Sequence, residues 1–197
     1  MNDHSYQQAL ALLRKALADP TATFHAGQWE AIERLVTQRA RLLVVQRTGW
    51  GKSLVYFLAT RLLRDQGARP TLRISPLLAL MRDQIRAAGR IGVRAETVNS
   101  SNTEAWNAVR DRLLANEIDL LLISPERLAN DTFRDTYLMP IAGRIGLLVG
   151  ASTPRWCKLS ASLSAPVGTQ PRPRRGSPAF PRTTIRARDV QWQYVNT

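Results

Sequence analysis

Residues 46–53 have the types and spacing of a loop that could bind phosphate groups, and they read QRTGWGKS. The loop follows an apolar run at 42–45 and precedes apolar residues repeated at helical spacing. Glycines let backbone N–H groups turn towards an anion, and the N-terminus of the next helix adds a partial positive charge. The order strand, glycine loop, Lys-Ser and helix therefore predicts a nucleoside triphosphate site, in which Lys52 reaches the phosphates and Ser53 binds Mg²⁺.

The loop departs from the full Walker A pattern at Gln46, where that pattern has glycine. The alternative interpretation is an ordinary glycine turn capped by the Ser53 hydroxyl. However, the strand pattern before the loop and the helical pattern after it both stand where phosphate binding requires them. Their positions favour the nucleotide site.

Composition argues against several other classes of protein. The 197 residues suffice for one domain with a hydrophobic core, and no apolar run approaches the roughly 18 residues of a membrane span. Cys157 is the single cysteine, which excludes an internal disulfide, and His4 and His25 stand too far apart to suggest a zinc site. The first residues lack the layout of a signal peptide, so we expect a cytoplasmic protein.

The formal net charge is +13, and it is distributed unevenly along the chain. Residues 1–149 hold 20 basic and 14 acidic side chains, whereas residues 150–197 hold 8 basic and 1 acidic. About a quarter of the chain therefore carries more than half of the net charge. Most of the basic residues are arginines, which suit phosphate recognition. This distribution indicates a basic tail rather than a basic patch on a folded domain.

Strand and helix patterns alternate along the first 149 residues. Amphipathic helices are expected at 5–18 and at about 26–38, and strands at 42–45, 71–74, 94–98, 118–123 and 145–149. This alternation predicts right-handed βαβ units and a parallel sheet, with ligands at the carboxyl ends of the strands. Arg73 is unexpected in the second strand, because the centre of such a sheet is apolar on both faces.

Polar residues follow three of the predicted strands, at the edge where ligands bind: Ser75-Pro76, Asn99-Ser100 and Ser124-Pro125. One interpretation is local, since serine caps a helix and proline favours its first position. The other is functional, because hydroxyls and free N–H groups at helix starts can bind a nucleic-acid backbone. Capping does not exclude contact, so both interpretations stay open.

Four segments together resemble, in order and spacing, the first motifs of RecQ-type DNA helicases, which belong to helicase superfamily 2. They are FHAGQ at 24–28, TGWGKS at 48–53, ISPLLALMRDQ at 74–84 and LLISPERL at 121–128. The third segment is the most specific, because its pattern is not a general feature of phosphate loops. It argues against kinases, GTPases and transporter ATPases. The resemblance covers about residues 20–149.

The resemblance implies two RecA-like lobes with ATP between them and 3′-to-5′ unwinding of single-stranded or partially duplex DNA in recombination and repair. Carried over by position, Gln28 recognises adenine and Phe24 packs beside it. The triphosphate and Mg²⁺ are expected at Thr48, Gly49, Gly51, Lys52 and Ser53. DNA is expected at Ser75, Pro76, Asn99, Ser100, Ser124, Pro125, Glu126 and Arg127.

The sequence departs from the family after Val149. RecQ-type helicases continue that strand into Asp-Glu-x-His, which holds Mg²⁺ and positions the attacking water. This chain reads GASTPR at 150–155 instead and has no Asp-Glu pair afterwards. We therefore expect no catalytic acid pair and no ATP hydrolysis. The expected organisation is an N-terminal helical segment at 1–23, a partial RecA-like helicase ATP-binding domain at 24–149 and a non-homologous tail at 150–197.

The predicted fold class is α/β, a P-loop NTPase with an incomplete RecA-like parallel sheet and a disordered C-terminal tail. The tail holds six of the eleven prolines and lacks helical periodicity, and such a composition buries too little apolar surface to fold. It suggests a frameshift or a truncated gene, with a genuine basic nucleic-acid-binding tail as the alternative. For the whole chain, the alternatives are a nucleotide- and nucleic-acid-binding protein without hydrolysis and an inactive pseudogene product.

The missing part of the domain also leads to an expectation about the sheet. In the family, a strand after the acid pair lies beside the strand that enters the phosphate loop. Residues 42–45 are therefore expected to keep an unpaired edge, and the chain to be marginally stable or to aggregate. Val190, Trp192 and Tyr194 alternate as in a strand, but the charge of the tail argues against pairing there.

Overall fold

The structure, a computed structural model, describes residues 3–75, 85–98, 106–128, 130–151 and 191–196. Its helices are α1 (Asp3–Leu17), α2 (Gln28–Val36), α3 (Lys52–Asp65), α4 (85–90), α5 (Trp106–Leu114), α6 (Pro125–Leu128), α7 (Asp131–Phe133) and α8 (Met139–Ala142), with a π-helical turn, Arg134–Leu138, between α7 and α8. Its strands are β1 (Leu42–Val45), β2 (Thr71–Ile74), β3 (Ala95–Val98), β4 (Leu120–Ile123), β5 (Leu147–Ala151) and β6 (Gln191–Asn196). Within these ranges, no helix has the length and apolar character needed to cross a membrane.

The described strands form one parallel sheet in the order β1-β6-β5-β2-β4-β3. The first five strands coincide with the five predicted strands to within two residues, which confirms the predicted α/β, RecA-like parallel sheet. β2 lies between β5 and β4, and all four of its residues are buried. The carboxyl ends of these inner strands therefore meet beside the loop that follows β1.

Two hydrophobic cores flank the sheet. Helices α1 to α4 cover one face, with Tyr56 and Phe57 of α3 among its most deeply buried side chains. Helices α5, α7 and α8 cover the other face, around Leu113, Phe133 and Ile141. β4, whose sequence is LLLI, is buried along its whole length. Continuous apolar strands are typical of parallel sheets that are covered on both faces.

β6 lies between β1 and β5 and pairs in parallel with both, with Leu43 opposite Tyr194 and Leu148 opposite Trp192. The prediction that the backbone of β1 keeps an unpaired edge where β6 lies is therefore wrong. The alternating sequence pattern around Val190 coincides with β6. Pairing uses backbone groups that almost every residue offers, so an unspecific side-chain pattern does not prevent it. Residues 152–190 lie outside the described residues, and their predicted disorder stays a prediction.

Asp119 joins three elements at the amino edge of the sheet, opposite the phosphate loop. Its carboxylate accepts hydrogen bonds from Arg64 Nε of α3 at 2.7 Å and from Arg94 Nη2, just before β3, at 2.8 Å. The backbone N–H of Arg94 donates to the second oxygen at 2.9 Å. Burial raises the pKa of Asp119, but the hydrogen bonds from Arg94 and Arg64 outweigh it and lower the pKa to about 2. This ionised carboxylate therefore ties the end of α3 to the start of β3 and β4.

Candidate nucleotide site

The loop at 46–51 connects β1 directly to α3, as the sequence predicted. Gly49 and Gly51 have φ angles of 82° and 89°, in the left-handed region that favours glycine. Gly51 is the N-cap of α3, and no side chain caps this end of the helix. The first N–H groups of a 14-residue helix therefore face the loop without a side-chain acceptor, and this arrangement suits an anion.

The Lys52 ammonium group is held at the mouth of the loop by backbone carbonyls. It donates hydrogen bonds to Gln46 O at 2.7 Å and to Arg47 O at 3.1 Å. Its side chain is partly buried, and no acidic residue in the described part of the chain forms an ion pair with it. Carbonyls are weaker partners for a cation than phosphate oxygens, so Lys52 can exchange them for a phosphate.

Gln28 fastens the segment before α2 to the phosphate loop. Its side chain is buried; the Oε1 atom accepts from the His25 N–H at 2.8 Å, and the Nε2 atom donates to Trp50 O at 2.7 Å. In return, Trp50 Nε1 donates to Ala26 O at 3.2 Å. An amide has two donor hydrogens and two acceptor lone pairs, and these two bonds use one of each.

Phe24 belongs to a cluster of three aromatic side chains beside this segment. Its ring centroid lies 5.7 Å from that of Tyr6 in α1 and 6.0 Å from that of Trp29 in α2. Tyr6 and Trp29 meet edge to face at 5.3 Å. The cluster connects α1 to the segment with Gln28, a role that the sequence analysis did not assign to Tyr6 or Trp29.

A buried arginine lies behind the first turns of α3. Arg73 of β2 is 5% exposed, and its Cζ atom lies 4.4 Å from the centroid of the Tyr56 ring. The Nε and Nη1 atoms of Arg73 and the Tyr56 hydroxyl have no hydrogen-bond partner. Burial raises the pKa of the Tyr56 phenol, although the nearby Arg73 charge acts in the opposite direction. Arg73 is unexpected in a central strand, and no role was predicted for it from the sequence.

The residues present do not fit a firmly held Mg²⁺ ion. The Ser53 side chain, in the first turn of α3, offers one hydroxyl oxygen, and Gly150-Ala151 ends β5 where the resemblance places the acid pair. The described residues contain no group of three or more His, Cys, Asp or Glu that could bind a metal. Mg²⁺ prefers six oxygen ligands, commonly with one or two carboxylates among them. Among the described residues at the loop, Ser53 is thus the side chain that could contact the ion.

The residues expected at DNA stand partly at the carboxyl edge of the sheet. Ser75 and Ser124 follow the paired strands β2 and β4, and both are buried; the Ser75 N–H donates to Ile123 O at 3.0 Å. Pro125 begins α6 and Glu126 is exposed, while the Arg127 guanidinium lies 4.7 Å from the centroid of the Trp106 ring. Pro76, Asn99 and Ser100 lie outside the described residues.

Comparison with known proteins gives a matching family. The profile of the DEAD/DEAH box helicase family matches residues 25–149. Among curated relatives, the ATP-dependent DNA helicase RecQ of Haemophilus influenzae is 36% identical over 134 residues, which cover 62% of this chain and 21% of the relative. The RecQ of Bacillus subtilis is 36% identical over 112 residues, covering 56% of this chain and 18% of the relative. The chain thus spans about a fifth of the length of these relatives.

Solved structures with the same fold include a helicase and an ATPase core. A hypothetical ATP-dependent RNA helicase from Sulfolobus tokodaii superposes with a TM-score of 0.59 and 16% identity, covering 99% of this chain and 50% of that one. The Sulfolobus solfataricus SWI2/SNF2 ATPase core in complex with dsDNA superposes with a TM-score of 0.54 and 12% identity, covering 89% of this chain and 32% of that one. At these identities the likeness concerns the fold alone.

Proposed function

The chain belongs to the DEAD/DEAH box helicase family, and we propose that residues 24–149 are the ATP-binding part of a RecQ-type DNA helicase. The observation that carries the proposal is the loop, in which Gly49 and Gly51 take left-handed angles directly before Lys52 at the start of α3. The 36% identity to RecQ helicases favours DNA over other substrates. The cytoplasm is its proposed location.

In this proposal, the triphosphate lies along the loop formed by Thr48, Gly49 and Gly51. Backbone N–H groups at the start of α3 bind the phosphate oxygens, and Lys52 leaves its two carbonyl partners to contact them. Any Mg²⁺ that accompanies the nucleotide has the Ser53 hydroxyl as its protein ligand. The contacts of Lys52 support this assignment, because its ammonium group already stands at the mouth of the loop.

We assign adenine recognition to Gln28 and a packing role beside the base to Phe24. Gln28 has one amide hydrogen and one lone pair left, the pair of groups that an adenine edge requires. Because the same amide donates to Trp50 in the loop, its position depends on the loop conformation. Phe24 is partly exposed in its aromatic cluster and offers an apolar surface.

DNA is proposed to contact the carboxyl edge of the sheet. The assigned residues are Ser75, Pro76, Asn99, Ser100, Ser124, Pro125, Glu126 and Arg127. Within the described part of this set, Arg127 is the group best suited to a phosphate, because it is the one cation of the set and its guanidinium lies over the Trp106 ring. The buried Ser75 and Ser124 are better suited to shaping the edge, and the exposed Glu126 carboxylate repels phosphate.

We propose that this chain alone does not hydrolyse ATP. Family members use the acid pair to hold the metal and orient water, and no such pair follows Val149 here. Unwinding and its 3′-to-5′ direction belong to the complete helicase with both lobes. The second candidate function is therefore a nucleotide- and nucleic-acid-binding protein without hydrolysis, and the missing acid pair is the observation that favours it.

Titration of a fluorescent ATP analogue tests the nucleotide site. We expect saturable binding by the natural chain, loss of at least tenfold in affinity for Lys52→Ala, and no change for Lys15→Ala. Lys15 is an exposed lysine on α1 and controls for the loss of one positive charge. With added DNA, the natural chain and Lys15→Ala should release no more phosphate from ATP than Lys52→Ala does.

Two results would contradict the proposal in different ways. Equal affinity of the natural chain and Lys52→Ala would mean that the loop is structural and binds no triphosphate. DNA-stimulated phosphate release that disappears in Lys52→Ala would mean that another group replaces the acid pair and that the chain is an active ATPase.

A further inference from the structure

Two large apolar side chains of β1 are exposed on one face of the sheet. The first face of the sheet is the one covered by α1 to α4, and Leu42 and Val44 pack against its core. Side chains alternate along a strand, so Leu43 and Val45 lie on the second face, which α5, α7 and α8 cover elsewhere. There Leu43 is 65% exposed and Val45 is 62% exposed. Among the described residues, the core on the second face includes side chains of β2 to β5 and none of β1.

The pairing of β5 with β6 requires the chain to cross one face of the sheet. The two strands are parallel neighbours, so the chain between them must return from the carboxyl edge to the amino edge. It leaves β5 at Ala151 and enters β6 at Gln191. Residues 152–190 make this connection, and they far exceed the roughly one dozen residues that a parallel crossover needs.

The hand of the earlier connections indicates which face is crossed. Over the first face, α3 and α4 carry the chain from β1 to β2 and on to β3, towards the β3 end of the sheet. Over the second face, α5 and then α7 and α8 carry it back to β4 and β5, towards β1. These connections all have the same hand, and parallel connections are right-handed in about 98% of cases. The step from β5 to β6 also runs towards β1, so the same hand takes it over the second face.

We propose that residues 152–163, the start of this connection, lie across the second face and cover Leu43 and Val45. The stretch contains three large apolar side chains: Trp156, Leu159 and Leu163. Covering the exposed leucine and valine removes apolar surface of both partners from water. Because the stretch is tethered to β5, its effective concentration at the patch is on the order of millimolar, which favours it over a second copy of the chain. Composition alone predicts disorder for these residues, and cross-linking distinguishes the two.

The chain leaves β5 within reach of the exposed patch. Ala151 pairs with Val195, which pairs with Val44, so two strand spacings of about 4.8 Å each separate Ala151 from β1. Six extended residues span up to about 20 Å. Cys157, the single cysteine of the chain, is therefore close enough along the sequence to reach β1 when the stretch crosses the second face. A disulfide to an introduced cysteine reports such a contact, because it requires the two Cα atoms to approach within about 7 Å.

The test is disulfide formation between Cys157 and a cysteine introduced into the full chain by Leu43→Cys or by Val45→Cys. Dilute protein is oxidised with copper–phenanthroline, and peptide mapping by mass spectrometry identifies the linked pairs. We expect an intramolecular disulfide to form about tenfold faster, or more, than in two controls at exposed positions. Leu17→Cys lies on α1 over the first face, and Leu114→Cys lies at the end of α5. Leu114 is closer to Cys157 along the chain than Leu43 is, so a disordered segment would favour this control.

Other patterns of cross-linking each overturn the proposal. Faster disulfide formation with Leu17→Cys would mean that the connection crosses the first face with the opposite hand. Equal rates with Leu43→Cys and Leu17→Cys, or the fastest rate with Leu114→Cys, would show that residues 152–163 do not pack on the sheet. Disulfides that join two copies of Leu43→Cys would show that a second chain covers the patch instead. If Leu43→Cys fails to fold, Val45→Cys decides the question with the same controls.

Discussion

Gly51 shows how closely the phosphate loop and the segment with Gln28 are packed. A Cβ atom added at Gly51 would lie 2.6 Å from Gln28 Nε2, and the φ angle of 89° is itself unfavourable for any other residue. Gln28 in turn occupies this position because it donates to Trp50 O, one residue before Gly51. The glycine is therefore required both by the backbone turn and by its neighbour.

We predict that Gly51→Ala abolishes binding of the ATP analogue and lowers stability by about 1–3 kcal/mol, because the alanine methyl strains the turn and displaces Gln28. Titration and urea unfolding would measure the two effects. Gly89→Ala is the matched control, since Gly89 is exposed in α4 and has open space around it. Gly89→Ala should raise the free energy of unfolding by about 0.5–1 kcal/mol. Nucleotide binding by Gly51→Ala at the natural affinity would show that the loop geometry is unnecessary.

Residue spacing predicted the part of the site that depends on local chain order. Lys52 and Ser53 stand at the start of α3 because strand, loop and helix follow each other directly in the sequence. The mutual hydrogen bonds between the Gln28 segment and Trp50 could not be predicted, since they join residues more than 20 positions apart. Arg73 was visible as an anomaly, but only the fold showed that it faces Tyr56.

At the scale of elements, Asp119 is the group that holds the amino edge of the sheet together. It accepts from Arg64 of α3 and from both the backbone and the side chain of Arg94. Its side chain is 6% exposed, so water screens these contacts little. Loss of the Asp119 charge would weaken the attachment of the C-terminal end of α3, whose N-terminal end follows the phosphate loop.

We predict that Asp119→Asn destabilises the protein by about 2 kcal/mol at neutral pH, because the folded carboxyl has a pKa near 2 against 3.8 for the ordinary group. This contribution is fully present above pH 3.8 and is lost as the pH falls towards 2. Urea unfolding between pH 7 and pH 2 should therefore show the two proteins converging in acid. Asp135→Asn, at an exposed surface pair, should differ little from the natural chain. A constant difference in stability between Asp119→Asn and the natural chain from pH 7 to pH 2 would contradict the role given to the ionised Asp119 carboxylate.

The sequence pattern predicted the first five strands well. β1 and β2 have the predicted bounds, and β3 to β5 differ by one or two residues. The fully buried β4 is a continuous apolar segment, as is typical of a parallel sheet covered on both faces, whereas alternate residues of β1 are exposed. α2 begins at Gln28, two residues later than predicted, since Gly27 has a φ angle of 80° and cannot continue the helix. The π-helical turn at Arg134–Leu138 has no sequence signal of its own, and β6 depends on partners distant in the chain.

At the scale of the whole molecule, the region after Val149 combines a strand with a strong positive charge, and the two are separable. Residues 191–197 contain β6 and no charged side chain. All eight basic residues of this region lie before position 191. One truncation can therefore remove the strand and leave the charge, and a longer one can remove both.

We predict that deletion of 191–197 lowers hydrogen-exchange protection of Leu42–Val45 and promotes aggregation, because β1 and β5 lose the strand between them. Non-specific DNA affinity should persist in this variant. Deletion of 152–197 should lower hydrogen-exchange protection of the same strand and also remove most of the DNA affinity. The affinity that remains should depend less on salt concentration. Exchange mass spectrometry and DNA titration at several salt concentrations would measure both properties.

Unchanged protection of Leu42–Val45 after removal of 191–197 would contradict the pairing of β6 as a source of stability. Equal DNA affinity of the longer deletion and the natural chain would show that the carboxyl edge of the sheet, with Arg127, carries the contact instead of the basic region.

The pairing of Leu42 with Gln193 also has a consequence for the order of folding. These residues are 151 positions apart, whereas Thr71 and its partner Leu120 are separated by 49. Contacts between distant positions form late, because closing a longer loop costs more entropy. At about 5–20 residues per second, the ribosome needs roughly 8 to 30 seconds to make the intervening chain. The strand that enters the loop at 46–51 is thus made early but gains this neighbour late in folding.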